Sequence, residues 1–297
     1  MKRMNVAARL LYALLWLVGR LPLRALHAFG AAVVWLLRVA GRGEARVARR
    51  NLELAFPALT SDARAALWRD SLRATGQTLA ETCRFWTRPA RDNLGLVREV
   101  IGAELLDAAQ AAGRGVIVAA PHLGQWELLN QWLAARAPIA IVYRPPRQAW
   151  LEDLLRRARG HEGVTQVRAE AAGVRQLFRV LKDGGNVGIL PDQQPKRGDG
   201  EFAPFFGVEA LTMTLLPRLA HKTGATVLFG WAERLPRGAG FRVHLSPAPA
   251  AIATENAHDA TAALNAGVEA CVRAAPAQYQ WGYKRYSIRP ADAPKLY

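Results

Sequence analysis

His122 and Glu127 are the two residues whose types and spacing best fit acid–base chemistry. They begin and end the run His122-Leu-Gly-Gln-Trp-Glu127, which follows an apolar segment at 116–120. A neutral imidazole accepts a proton near pH 7, and a carboxylate in contact with it holds one tautomer and supports the developing charge. Gly124 lets the backbone between them turn sharply. We therefore predict that Glu127 contacts His122 and that the pair acts as a general base, although either residue alone has an ordinary structural explanation.

The surrounding sequence argues against several other chemistries. The second histidine of a zinc-protease helix is missing, and so are a G-x-S-x-G nucleophile elbow, a G-x-x-x-x-G-K phosphate loop and a convincing dinucleotide fingerprint. Cys83 and Cys271 lie far apart without metal-type spacing, which is typical of reduced thiols. With no obvious serine or cysteine nucleophile beside His122, direct transfer to a hydroxyl fits better than a covalent intermediate. We expect neither a cofactor nor a metal.

The elements that must position these residues alternate between strands and helices. Short apolar segments typical of buried strands cover 116–120, 139–143, 164–167, 187–190, 226–231 and 241–245. Segments with helical spacing cover 61–84, 126–136, 150–159, 173–182, 211–222 and 254–274. This alternation predicts an α/β fold with a central, mostly parallel sheet flanked by helices. In such a fold the chemistry lies at the carboxyl ends of the strands.

The N-terminal region combines positive charge with apolar residues. Residues 1–50 hold ten Lys or Arg against one acid, Glu44, in a chain of net charge +16. Cations among Leu, Val and Trp suit an anionic lipid surface, and the chain carries no recognised nucleic-acid motif. Neither apolar stretch reaches the roughly 20 residues of a clean span. We predict an uncleaved anchor or interfacial helices over 1–42 and one catalytic domain over 43–297. A secretory signal and a helix pair buried in the protein are the alternatives.

Further segments carry a specific family pattern. They are Arg50-Asn-Leu-Glu-Leu-Ala-Phe-Pro57, Tyr143-Arg-Pro145, Gly188-Ile-Leu-Pro-Asp-Gln-Gln-Pro195 and Phe205-Phe-Gly-Val-Glu-Ala-Leu-Thr212. Together with the His-x4-Glu run, they resemble the lipid A biosynthesis (lauroyl/myristoyl) acyltransferase family, within the His-x4-Asp/Glu glycerolipid acyltransferase superfamily. The resemblance covers about residues 5 to 290. It implies the fold of that superfamily.

The resemblance also implies roles for individual residues. His122 is then the base and Glu127 its orienting partner. Arg159 is similar to the functional arginine of the family, and Asp192 matches an acidic position beyond a strand. Arg144 is a candidate substrate-binding residue together with these two, because a guanidinium binds phosphates or carboxylates bidentately.

The substrates follow from the resemblance as well. The donor would be an acyl carrier protein thioester, and the acceptor a hydroxyl of the phosphorylated Kdo-lipid A precursor. The enzyme would lie at the bacterial inner membrane with its catalytic domain on the cytoplasmic face, in contact with membrane lipids and not with nucleic acid. Alternatives are another membrane lipid acyltransferase, acting on a glycerolipid or a phosphoinositide mannoside, and a non-catalytic basic membrane-binding protein.

Overall fold

The computed structural model of the protein describes residues 6–39, 43–146 and 148–297. Elements are numbered in chain order. The helices are α1 (Val6–Gly19), α2 (Leu23–Val39), α3 (Gly43–Ala55), α4 (Ser61–Thr87), α5 (Ala90–Leu94), α6 (Ala103–Ala111), α7 (Trp126–Arg136), α8 (Ala149–Ala158), α9 (Ala171–Lys182), α10 (Leu215–Thr223) and α11 (Ala257–Ala274). The strands are β1 (Val97–Ile101), β2 (Val116–Ala119), β3 (Ile139–Tyr143), β4 (Val164–Arg168), β5 (Asn186–Ile189), β6 (Gly200–Phe205), β7 (Val208–Met213), β8 (Thr226–Arg234) and β9 (Phe241–Pro247).

The central sheet has seven strands in the order β1-β9-β8-β2-β5-β3-β4. Its neighbouring strands are parallel, apart from the antiparallel pair β8–β9. Successive residues of the central strand β2 are buried on opposite faces, with Val116 and Val118 in one core cluster and Ile117 and Ala119 in the other. A parallel sheet covered on both faces needs such continuously apolar strands. The predicted α/β fold is therefore confirmed.

Most predicted elements agree with the structure, but one helix was predicted too early. Residues 211–213 belong to β7, and the helix begins at Leu215. The hairpin β6–β7 turns through Phe206 and Gly207, with φ of 50° and 73°. A two-residue hairpin loop favours positive φ at both positions, and Phe is an unusual choice for the first of them. The hairpin therefore left no ordinary turn signal in the sequence.

The N-terminal helices α1 and α2 pack along the long helix α4. Gly30 of α2 crosses Gly76 of α4 so closely that a Cβ on Gly76 would overlap the Gly30 carbonyl oxygen. Only glycine allows this approach of two helix backbones. The helical character of this region is confirmed, while the predicted domain boundary after residue 42 adjoins residues 40–42, which lie outside the described part.

Candidate active site

His122 lies at the carboxyl edge of the sheet, just beyond β2, and its partner Asp192 lies just beyond the adjacent parallel strand β5. The Nδ1 atom of His122 is 2.8 Å from Oδ1 of Asp192, and the backbone N–H of His122 donates to Oδ2 at 2.9 Å. The carboxylate thus accepts from both the ring and the main chain. This arrangement holds the Nδ1–H tautomer and leaves a lone pair on Nε2.

The surroundings keep Asp192 ionised. Burial alone would raise the pKa of this carboxyl, but the charge of His122 and the hydrogen bonds from its ring and backbone lower the pKa below the ordinary value. Burial raises the pKa of the neighbouring Tyr279 hydroxyl well above its usual range, and the charge of Asp192 adds to that shift. An ionised Asp192 beside a neutral phenol can stabilise an imidazolium as it forms on His122.

A second ion pair joins Glu127 to Arg159. Glu127 lies in the first turn of α7, where its backbone N–H donates to the side-chain oxygen of Gln125. Arg159 follows α8, and its Nε lies 3.0 and 3.1 Å from the two carboxylate oxygens of Glu127. Burial alone would lower the pKa of Arg159, but the Glu127 carboxylate raises it above the ordinary value. Arg159 is therefore held in its charged form, and Glu127 fixes the orientation of its guanidinium.

The predicted contact between Glu127 and His122 is wrong. Asp192 takes the ring nitrogen, and both carboxylate oxygens of Glu127 face Arg159. The chain between the two residues binds β8, where the Gln125 N–H donates to the carbonyl of Ala232. His122, Glu127, Arg159 and Asp192 do come together at this edge of the sheet, as the pairs His122–Asp192 and Glu127–Arg159. Their catalytic roles stay predictions.

His122 opens into a groove of about 640 Å³. Apolar side chains line much of it, namely Trp126, Val142, Val174, Phe178, Leu190 and Met213. Three arginines also line it, Arg144, Arg159 and Arg218. An apolar trough with cationic side chains fits an amphiphile that has an acyl chain and an anionic group. The described part of the chain has no cluster of three or more His, Cys, Asp or Glu able to hold a metal ion.

The sequence analysis missed two features of the site. Gln193 lies 3.2 Å from Nε2 of His122, although an amide next to Asp192 carries no signature of its own. A buried polar network also supports the turn after His122. There Glu81 of α4 accepts from Arg234 of β8 and from the Gln125 side chain, which caps α7. Contacts between distant elements of this kind cannot be deduced from spacing.

A histidine held by a carboxylate at the carboxyl edge of an α/β sheet, beside an apolar and cationic groove, has the arrangement that a general base needs to activate a hydroxyl. The chain matches the model of the bacterial lipid A biosynthesis acyltransferase family over residues 3–287. It is 30% identical to the lipid A biosynthesis lauroyltransferase of Escherichia coli over 287 residues, which are 95% of this chain and 92% of that protein. The palmitoleoyltransferase of the same organism gives the same identity and coverage.

A phosphatidylinositol mannoside acyltransferase of Mycobacterium tuberculosis is 32% identical over 187 residues, which are 59% of this chain and 56% of that protein. The chain belongs to the bacterial lipid A biosynthesis acyltransferase family. It is therefore an acyltransferase, and the groove is the candidate site of acyl transfer.

Proposed function

We propose that this protein is a late, or secondary, acyltransferase of lipid A biosynthesis. It transfers a fatty acyl chain from an acyl carrier protein thioester to a hydroxyl of the Kdo-lipid A precursor. The observation that carries the proposal is the His122–Asp192 pair facing an apolar and cationic groove in a member of this family. The lipid A acyltransferases match nearly the whole chain, whereas the phosphatidylinositol mannoside acyltransferases match 59% of it, which favours the lipid A acceptor.

In the proposed reaction, Nε2 of His122 takes the proton of the acceptor hydroxyl as its oxygen attacks the thioester carbonyl. The new C–O bond gives a tetrahedral intermediate. Its collapse breaks the C–S bond, and the leaving thiolate takes the proton back from the imidazolium. The products are an ester and a free thiol, so protons and electrons balance. A positioned base of this kind contributes about 10²–10⁴ in rate, and Asp192 supports the imidazolium at Nδ1.

The second pair serves substrate binding in this proposal. Glu127 is almost fully buried and acts through Arg159, which lines the groove and presents its remaining N–H groups to an anion. Arg144 lies exposed on the groove wall, where it suits a phosphate of the acceptor or an acidic residue of the carrier protein. Glu127 is thus a positioning residue for Arg159 and not the direct partner of the base.

The proposal also holds that the enzyme acts at the cytoplasmic face of the inner membrane. The N-terminal helices leave several large apolar side chains exposed, namely Val6, Leu10, Leu14, Trp16, Leu17, Phe29, Trp35 and Leu36. Among the helices described, none combines the length and the apolar character that crossing a bilayer requires. Exposed apolar residues beside cations such as Arg20 and Arg24 suit a lipid interface.

Mass spectrometry of lipid A tests the acceptor. A bacterial strain that lacks the protein should lose one secondary acyl chain, and the mass lost identifies its length. Expression of the wild type should restore the chain, while His122→Ala should not. His221→Ala, which changes an exposed histidine on α10, is the matched control and should restore it. Unchanged lipid A in the strain without the protein would contradict the proposed acceptor.

A further inference from the structure

The carboxamide of Gln193 faces the reactive nitrogen of the base. Its Nε2 lies 3.2 Å from Nε2 of His122 and 3.2 Å from the side-chain oxygen of Gln280. The backbone N–H of Gln280 in turn donates to the His122 carbonyl at 3.1 Å. Gln193 also lines the groove, so it borders the space that a substrate must enter.

The hydrogen-bond chemistry decides which end of the amide faces the ring. Asp192 is ionised and accepts from Nδ1, so Nε2 of the neutral imidazole carries a lone pair and no proton. The group opposite that lone pair must be a donor, and a carboxamide donates only through its nitrogen. The second N–H of the same nitrogen is directed to Gln280. Gln193 therefore places an N–H beside the reacting atom of His122.

The loop that carries the base directs its own backbone donors elsewhere. The N–H groups of His122, Leu123, Gly124 and Gln125 bind Asp192, Pro121, Gln278 and Ala232 in that order. A tetrahedral oxyanion nevertheless needs donors that are already in place. For an acyl group attacked next to Nε2 of His122, the side chain of Gln193 is a donor at that point.

We propose that Gln193 is a further catalytic residue, whose carboxamide N–H binds the oxyanion of the tetrahedral intermediate. This inference rests on the proposed acyl transfer. An acceptor hydroxyl that reaches the lone pair of His122 lies within hydrogen-bond distance of the same amide nitrogen. The oxyanion is attached to the carbon that this hydroxyl attacks, so a small rotation of the amide brings its N–H to the oxyanion. Gln280 anchors the amide through its other hydrogen.

The test compares Gln193→Met, which keeps the size of the side chain and removes both donors, with Gln193→Glu, which replaces them by acceptors. Steady-state rates are measured with an acyl carrier protein thioester and the lipid A precursor. Loss of one oxyanion donor lowers kcat by about 10²–10³. We expect a loss of that order in Gln193→Met, a loss at least as large in Gln193→Glu, and little change in KM for the acceptor.

Gln110→Met is the matched control, because Gln110 is a half-buried amide on α6 whose partner, Asn186, lies at the opposite end of the sheet. It should keep the wild-type kcat. Circular dichroism establishes that each variant is folded. A wild-type or raised kcat in folded Gln193→Met would overturn the inference, because the amide would then only cover the base.

Hydrolysis of the thioester separates this inference from the proposed acceptor. Hydrolysis uses the base and the oxyanion donor but no lipid. If the wild type hydrolyses the thioester without acylating the precursor, the proposed acceptor fails, and the Gln193 variants are compared by hydrolysis with the same expected losses. A wild type that does neither would overturn both proposals.

Discussion

At the scale of single residues, the two carboxylates of the site have different partners: Asp192 binds His122, and Glu127 binds Arg159. Asp192 receives two N–H groups of His122, so an amide at that position would oppose one of them with its own NH2 group. Asp192→Asn should therefore favour the wrong tautomer, with the proton on Nε2, and lower kcat by about 10³–10⁴ with little change in KM. Steady-state kinetics on the folded variant measure this. A fall of less than tenfold would contradict the role of Asp192 as the partner of the base.

Glu127 should behave as one unit with Arg159. Glu127→Gln and Arg159→Met each break the same ion pair, so the double variant should lose little more kcat/KM than the worse single variant. Glu127→Gln combined with Asp192→Asn breaks two separate pairs, so the losses of kcat/KM from these two changes should be closer to additive. A double-mutant cycle measures both couplings. Strong coupling of Glu127 to Asp192, with none to Arg159, would contradict the pairing of Glu127 with Arg159. It would favour the contact between His122 and Glu127 that the sequence predicted.

The residues of the site were more predictable than their pairing. His122 and Glu127 were singled out by their types and their spacing after an apolar strand, whereas Arg159 and Asp192 were singled out by the resemblance to the family. The partner of His122 depends on which strand lies beside β2, and that strand is β5, about 70 residues later in the chain. Gln193 stood inside a recognised segment, yet an uncharged amide gave no reason to choose it.

At the scale of elements, Glu81 joins three parts of the fold beneath the base. It lies on α4 and binds Arg234 of β8, His27 of α2 and the Gln125 side chain that caps α7. Burial alone would raise the pKa of Glu81, but Arg234 and His27 lower it below the ordinary value. Its stabilising contribution is therefore present above pH ~4.3, the ordinary pKa of a glutamate, and is lost as the pH falls through the lowered value.

Glu81→Gln should lower the free energy of unfolding by about 3–5 kcal/mol at pH 7, because Arg234 is left as an unpaired buried charge. Urea denaturation measures the loss. Glu81→Gln combined with Arg234→Met removes that charge and should recover part of the stability. Two results would contradict a stabilising Glu81–Arg234 pair. One is a Glu81→Gln protein as stable as the wild type, and the other is a double variant less stable than Glu81→Gln.

Elements were predicted best where the local pattern and the tertiary contacts agree. The strand Ile139–Tyr143 and the helix Trp126–Arg136 have the predicted bounds. β1 was missed because only its parallel pairing with the distant β9 gives it a place in the sheet. Residues 211–213 were predicted as helix because the turn at Phe206 and Gly207 has no usual sequence signal.

At the scale of the whole molecule, α1 and α2 are packed against α4 and at the same time leave an apolar face exposed. Leu14→Glu together with Leu17→Glu places two charges on that face, where the native side chains are 58% and 64% exposed. The double variant should bind vesicles that contain anionic lipid much more weakly, with unchanged stability. Ile101→Glu, which changes an exposed apolar residue of β1, should bind like the wild type. Vesicle co-sedimentation measures both, and equal binding of all three proteins would contradict an interfacial role for α1.

The central claim is that His122 activates a lipid hydroxyl for attack on a thioester. The test mixes purified wild-type protein with acyl carrier protein thioester and lipid A precursor. Mass spectrometry then follows the mass of the lipid product over time. We predict that the wild type adds one acyl chain to the precursor, and that His122→Ala, folded and stable, lowers the rate by at least 10²-fold. Transfer by His122→Ala at the wild-type rate would contradict the account.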